Sequence, residues 1–289
     1  MSRNLLQAWQ GARSRLEAAA VPGPVIDARV LVEAACGVTR ADIVGDPYRE
    51  LDAEQSARLD DYLERRIRRE PVSHILGRRG FWNIMLGVTP DVLTPRPETE
   101  VIVDQALRLF PEGRPFRILD LGVGSGAILL AILAERPAGR GLGVDASEEA
   151  LAVARDNAAS LGIAGRVALL RGDWTAGLTD ADFDLVVSNP PYIATGVIET
   201  LEPEVRVHEP RLALDGGPDG LDAYRILAPE ILRVLRPGGR FLVEIGYDQK
   251  TVVETLFRKS GALEVETLPD LSTHDRVVTG VKKPLETVG

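Results

Sequence analysis

Apolar residues recur at helical spacing through the first quarter of the chain. Leu5, Leu6, Trp9, Ala12 and Leu16 fall on one stripe, and Ile26, Val30, Leu31 and Ala34 on another. Residues 1–73 therefore read as a small helical bundle. Pro22-Gly23-Pro24 divides the first two helices, because proline lacks an amide hydrogen and glycine frees the backbone. Asp52 stands where a third helix begins, and Gln55 three residues on completes a variant capping box.

The period changes at Pro71. As far as Pro97, short apolar runs such as Phe81-Trp82-Asn83-Ile84 and Gly87-Val88-Thr89 are punctuated by glycine and proline, which predicts a β-hairpin linker over 74–97. A helix starts near Glu98 and turns Val101, Ile102, Ala106, Leu107 and Leu109 inward. From Phe116 onward, strands at 117–121, 141–145, 167–171, 183–188 and 240–245 alternate with helices such as 127–135 and 147–161, the latter capped by Ser147. Such alternation builds a doubly wound, mostly parallel sheet of the α/β class. Strands 262–268 and 276–281 are joined only by a Pro-Asp and Ser-Thr-His loop, so a C-terminal antiparallel hairpin is expected. Residues 98–289 form one domain in this reading.

With 289 residues, 45% of them hydrophobic, the chain can bury a sizeable core. No run reaches the roughly 18 apolar residues of a membrane span, so a soluble, cytoplasmic protein that does not engage a membrane is expected. Cys36 is the sole cysteine, which excludes an intramolecular disulfide or a thiolate metal cluster. His74, His208 and His274 lack ligand spacing, so no metal is expected. A formal charge of −9 argues against sequence-blind nucleic-acid binding, which needs Lys and Arg to replace phosphate counterions. The one dense basic run, Arg65-Arg66-Ile67-Arg68-Arg69, lies between Glu64 and Glu70 with Asp60 and Asp61 a turn earlier. Its expected place is the solvated face of a helix, the alternative being an electrostatic patch for RNA or an acidic partner.

Candidate chemistry begins at Asp120-Leu121-Gly122-Val123-Gly124-Ser125-Gly126, which ends the first strand of the sheet and opens a helix. In a doubly wound sheet, ligands bind outside the carboxyl ends of the strands. Alternate glycines let the backbone turn sharply and approach a ligand, and the following helix N-terminus favours an anionic group. That group is a phosphate or the carboxylate of a methionine moiety. The spacing leaves both open, because Gly122-x-Gly124-x-x-Ala127 also satisfies a loose dinucleotide fingerprint. Asp145, at the end of the second strand, can accept from both ribose hydroxyls with either cofactor. Asp173 and Trp174 follow the third strand, where a carboxylate can take an adenine amino group and an indole can cover the ring.

The run Phe183-Asp184-Leu185-Val186-Val187-Ser188 then delivers Asn189-Pro190-Pro191-Tyr192 to the same rim. Two prolines stiffen the backbone and remove its donors, leaving carbonyls to face an incoming group. A planar NH2 can give one hydrogen to the Asn189 side-chain oxygen and the other to the Pro190 carbonyl, with Tyr192 stacked on its plane. Those bonds enrich a delocalised nitrogen in electron density. Alignment with a sulfonium methyl supplies a proximity effect of roughly 7 to 11 kcal/mol in well-oriented systems. These residue types suit N-methylation from S-adenosylmethionine, with Asn189, Pro190 and Tyr192 as the catalytic candidates.

Over almost its whole length the chain resembles the bacterial peptide chain release factor N5-glutamine methyltransferases, the PrmC or HemK family. The residues that carry the resemblance are Glu70-Pro71 through Gly77, Leu93-Thr94-Pro95-Arg96-Pro97-Glu98-Thr99-Glu100, the Gly122 to Gly126 loop, Ser188 to Tyr192, Glu209 to Leu214 and Gly216 to Leu221. The resemblance implies a seven-stranded Rossmann-like methyltransferase sheet that takes S-adenosylmethionine. It also implies an N-terminal bundle that recognises the release factor, with no nucleic acid as direct substrate, and methylation of the side-chain amide of the glutamine in a Gly-Gly-Gln loop. Gly122 to Gly126, Asp145, Trp174 and Asn189 would hold the cofactor, Asn189 to Tyr192 the glutamine, and Pro95 to Glu100 a wall of the pocket. Val123 departs from the small polar residue more common in the family, and Leu271-Ser272-Thr273-His274 from a commoner turn. A ribosomal-protein glutamine methyltransferase would share the fold, the loop and the tetrapeptide. The alternatives further off are a nucleic-acid N-methyltransferase and an NAD-binding oxidoreductase or non-catalytic nucleotide-binding module.

Overall fold

A computed structural model describes residues 3–285 as two compact units, one made of residues 3–77 with 202–208, the other of 78–201 with 209–285. The first unit holds α1 (Leu5–Ala18), α2 (Pro24–Cys36), α3 (Arg40–Gly45), α4 (Ala53–Ile67) and α5 (Val72–Leu76). Asn4 with Gln7, and Asp52 with Gln55, form capping boxes at the starts of α1 and α4. Leu5, Leu16, Leu31, Leu59 and Leu63 make a core sealed from solvent. On α2 the buried face is Ala28, Leu31, Val32 and Ala35, while Ile26 is 62% exposed. This helix is apolar on most sides, so its pattern leaves the phase open. The small side chains of Ala28 and Ala35 turn into the core beside Leu31 and Val32.

The basic run at the end of α4 does not stand in solvent. Arg66 is buried and donates to Asp27 and Glu204 at 2.7 Å each. Arg69 donates to Glu202 and Glu204, and Arg65 to Glu70. Only Arg68 of the four arginines is exposed. The acidic partners in 202–208 arrive from far along the sequence, which no local pattern reveals.

The second unit opens with a hairpin, β1 (Arg78–Phe81) and β2 (Ile84–Gly87). The hairpin belongs to this unit and is no free linker, because Phe81 and Leu86 sit in its core. A 3-10 turn at Pro97–Thr99 leads into α6 (Glu100–Leu109). There follow β3 (Phe116–Leu121), α7 (Ala127–Glu135), β4 (Gly139–Asp145), α8 (Glu148–Ser160), β5 (Val167–Arg171) and β6 (Phe183–Ser188). Next come α9 (Thr195–Ile198) and, in the segment counted with the first unit, α10 (Pro203–Arg206). The chain ends with α11 (Asp222–Val234), β7 (Leu235–Glu244), α12 (Lys250–Lys259), β8 (Ala262–Pro269) and β9 (Asp275–Lys282).

The sheet has seven strands in the order β5-β4-β3-β6-β7-β9-β8. Strands β3 to β7 pair in parallel, and β9 runs antiparallel to β7 and β8. This is the expected mostly parallel, doubly wound α/β sheet with its C-terminal antiparallel hairpin. Residues alternate between its faces as strand geometry requires. Ile118, Leu185 and Val187 pack with α6, α7 and α8 on one side. Leu119, Leu121 and Val186 pack with α11 and α12 on the other.

Candidate active site

From β3 the chain winds outward through β4 and β5, then crosses back to β6 on the other side. The carboxyl ends of β3 and β6 are the topological switch point, where a crevice forms. A cavity of about 610 Å³ lies there. Its walls include Gly122, Val123, Gly124, Ser125, Asp145, Asp173, Trp174, Asn189 and Pro191, together with Pro95, Arg96 and Thr99 of the turn before α6. Gly126, Pro190 and Tyr192 do not line it.

Each placement has a local cause. Gly122 and Gly124 have φ of +74° and +53°, the left-handed region that favours glycine. Nothing lies within 4 Å of where a Cβ on Gly124 would stand, so a side chain there would enter open space at the cavity wall. Val123 sits over Gly143, whose missing Cβ leaves it room. Gly126 serves packing instead, since a Cβ there would come within 2.8 Å of Leu130 on α7. Asp145 Oδ2 accepts the Gly124 amide at 2.8 Å and Oδ1 the Ser147 amide at 3.0 Å. The carboxylate thus braces the loop and still has lone pairs for a ligand hydroxyl. Asn157 of α8 donates to Ser125 and Gly87 carbonyls, tying the glycine loop to the hairpin. Trp174 has its indole 3.8 Å from the Cβ position of Gly122, so it closes over the loop while part of it rests on the core.

Asn189 leaves β6 with its Nδ2 donating to Thr99 Oγ1 at 3.3 Å. Pro190 is buried beside it. Tyr192 turns away from the cavity, its ring on the core and its hydroxyl donating to Glu244 at 3.4 Å. Burial raises the Tyr192 phenol above its ordinary range, so it remains a neutral donor. Behind the tetrapeptide, Gln249 Nε2 donates to the Tyr192 and Gly220 carbonyls at 3.0 and 3.1 Å. Ile193 ties the chain to the 214–217 loop, its amide donating to the Leu214 carbonyl and its carbonyl accepting from the Gly216 amide. Arg96 donates to both oxygens of Glu209, whose side chain is 1% exposed. Burial raises the Glu209 carboxyl, opposed by the Arg96 charge.

Glu244 and Gln249 carry weight in this site and were not singled out by motif. The one signal for Glu244 was a carboxylate inside Phe241-Leu242-Val243-Glu244-Ile245, an apolar run at the carboxyl end of a sheet strand. Gln249 gave no signal, because its partners are backbone carbonyls brought in by the fold.

A cavity at the switch point, floored by a glycine loop and flanked by a strand-end asparagine, places the second unit among the methyltransferases. Residues 114–273 match the family model for a methyltransferase domain. A solved methyltransferase from Pyrococcus furiosus shares the fold with a TM-score of 0.52 and 21% identity, over 68% of this chain and 88% of that one. Residues 7–77 match the model of the PrmC N-terminal domain. Release factor glutamine methyltransferase of Caulobacter vibrioides is 70% identical over 286 residues, 99% of each chain. Its counterpart in Agrobacterium fabrum is 43% identical over 93% of this chain and 94% of that one. The chain belongs to the release factor glutamine methyltransferase family. Among the described residues, no helix is long and apolar enough to cross a membrane.

Proposed function

We propose that this chain transfers a methyl group from S-adenosylmethionine to the side-chain amide nitrogen of the glutamine in the Gly-Gly-Gln loop of peptide chain release factors. Its first domain, by this reading, binds the factor. The observation that carries the reading is Asn189 in the wall of the cavity that the glycine loop also lines, with its NH2 engaged by Thr99. The amide oxygen of Asn189 is left to accept from a substrate N–H.

The residues suit the cofactor. Gly122 and Gly124 offer bare backbone, Asp145 retains acceptor capacity for a ribose, and Trp174 with Asp173 provides an adenine-sized face and a carboxylate. S-adenosylmethionine supplies an electrophilic methyl on a sulfonium. The protein's part is orientation: Asn189 Oδ1 and the Pro190 carbonyl hold the substrate NH2 so that its lone pair meets that methyl. With that donor bound, its carbon–sulfur bond would break as the carbon–nitrogen bond forms, and the amide proton would leave to solvent after transfer. No strong general base is needed first.

Parallel incubations with methyl-labelled S-adenosylmethionine and a purified release factor, ribosomal protein or RNA test the reading, with peptide mass spectrometry to place the label. Label on the Gly-Gly-Gln glutamine supports it. Label confined to a ribosomal protein or to RNA sinks it. The match of residues 7–77 to the PrmC N-terminal domain favours the release factor over those rivals.

A further inference from the structure

Behind Asn189 runs a line of polar groups that the proposed clamp on the substrate NH2, formed by the Asn189 Oδ1 and the Pro190 carbonyl, does not itself require. Glu244 ends β7 within an apolar run and is 1% exposed. Its Oε2 accepts the Thr99 hydroxyl at 2.6 Å, and its Oε1 the Tyr192 hydroxyl at 3.4 Å. A hydroxyl carries one hydrogen. With that hydrogen given to Glu244, Thr99 Oγ1 has only lone pairs left, and the Asn189 side chain meets it at 3.3 Å. The Asn189 amide must then turn its NH2 to Thr99 and its Oδ1 away.

We propose that Glu244 is a positioning residue that acts through Thr99 to fix which end of the Asn189 amide faces the substrate. This rests on the reading of Asn189 as the acceptor of a substrate N–H. Without the carboxylate, the Thr99 hydroxyl is free to donate to Oδ1. The amide then reverses and presents its own NH2 to the substrate NH2, donor against donor.

The groups facing Glu244 are Thr99 and Glu98 from the turn before α6, Tyr192 from the loop after β6, and Arg276 of β9. Tyr224 of α11 donates to its backbone carbonyl. Burial raises the Glu244 carboxyl to about 7, with the Thr99 bond and Arg276 pulling it down and Glu98 pushing it up. A protonated Glu244 donates to Thr99 instead of accepting from it, which frees the Thr99 hydrogen toward Asn189. Turnover therefore falls as pH drops through that range.

The chain has four asparagines, Asn4, Asn83, Asn157 and Asn189, so selective 15N labelling leaves four side-chain NH2 groups to follow. In the wild-type protein the Asn189 signals titrate with a midpoint near 7; in Glu244→Leu that titration is gone while the other three signals stay in place. In the methylation assay Glu244→Leu lowers kcat roughly tenfold to a hundredfold, the range of one mis-set buried hydrogen bond. The KM for release factor changes little and the acid limb disappears. Thr99→Ser recovers most of the activity that Thr99→Val loses. Asn189 signals that do not titrate in the wild type, or a Glu244→Leu protein with unchanged kcat and acid limb, overturn the proposal. A wild-type protein inactive on release factors sinks the substrate reading alone, because the NMR titration tests the relay without substrate.

Discussion

Gly220→Ala puts the rigidity of the clamp to a quantitative test. Gly220 has φ of +75°, and a Cβ there would fall inside contact distance of the Tyr192 carbonyl oxygen and 2.9 Å from Gln249 Nε2. Holding alanine in the left-handed region costs about 1–2 kcal/mol. The Cβ must also dislodge the Gln249 amide from the Tyr192 and Gly220 carbonyls, two hydrogen bonds worth about 1 kcal/mol each. The combined strain of about 3–4 kcal/mol is relieved most easily by shifting the tetrapeptide outward. A misplacement near 1 Å can slow a positioned reaction by roughly a hundredfold. Turnover on release factor should therefore fall by about that factor, while affinity for S-adenosylmethionine by calorimetry stays within about threefold, since Gly122, Gly124 and Asp145 are untouched. Gly238→Ala is the control. Gly238 has a matching φ of +76° but nothing within 4 Å of its Cβ position, so it should lose about 1–2 kcal/mol of stability and no activity. Near-normal turnover and an unchanged melting temperature in Gly220→Ala would refute the claim that this loop holds the clamp.

Asn189→Ala should keep its fold yet lose roughly a hundredfold to a thousandfold in kcat, as when one aimed hydrogen-bonding group is removed; single-turnover kinetics measure it directly. Gly124→Leu should abolish S-adenosylmethionine binding in calorimetry with a circular dichroism spectrum like the wild type, because the new side chain enters open space beside the glycine loop. The helical unit should lose stability in acid through Glu204. Burial would raise this carboxyl, but hydrogen bonds from Arg69 and Arg66 outweigh it and bring it to about 2 from an ordinary 4.5. Its contribution is complete above the ordinary value and vanishes as pH falls toward about 2. Thermal unfolding of the full chain between those limits should show a slope that Glu204→Gln flattens; an unchanged slope would count against the ion-pair cluster.

Alternation of strands and helices was legible because each buried strand is short and apolar, and the glycine loop and Asn189 stand where strand ends must lie. The boundaries blurred where turn residues sit inside a strand: β7 begins at Leu235, before Pro237, Gly238 and Gly239, not near Arg240. Side-chain direction was harder to read. Tyr192 follows Asn189 by three residues, yet the prolines swing its ring onto the core and its hydroxyl toward Glu244. Gly126 shares a loop with Gly124 but faces α7 and Ala154. The basic run on α4 and the Glu244 relay were illegible for one reason: partners such as Glu204 and Glu202 for the arginines and Thr99 for Glu244 lie 133 to 145 positions away, and periodicity reports only neighbours.

The assignment of 202–208 to the helical unit bears on how this protein can be taken apart. The covalent chain enters that unit twice, so no single cut separates the helical unit from the sheet unit. A fragment ending at Gly77 would strand Arg66 without Glu204, and Arg69 without either of its carboxylates. Grafting a foreign N-terminal domain onto this catalytic domain would leave the 202–208 acidic stretch facing arginines that are no longer there. Any exchange of the helical unit between such enzymes, by engineering or by recombination, has to carry both pieces together.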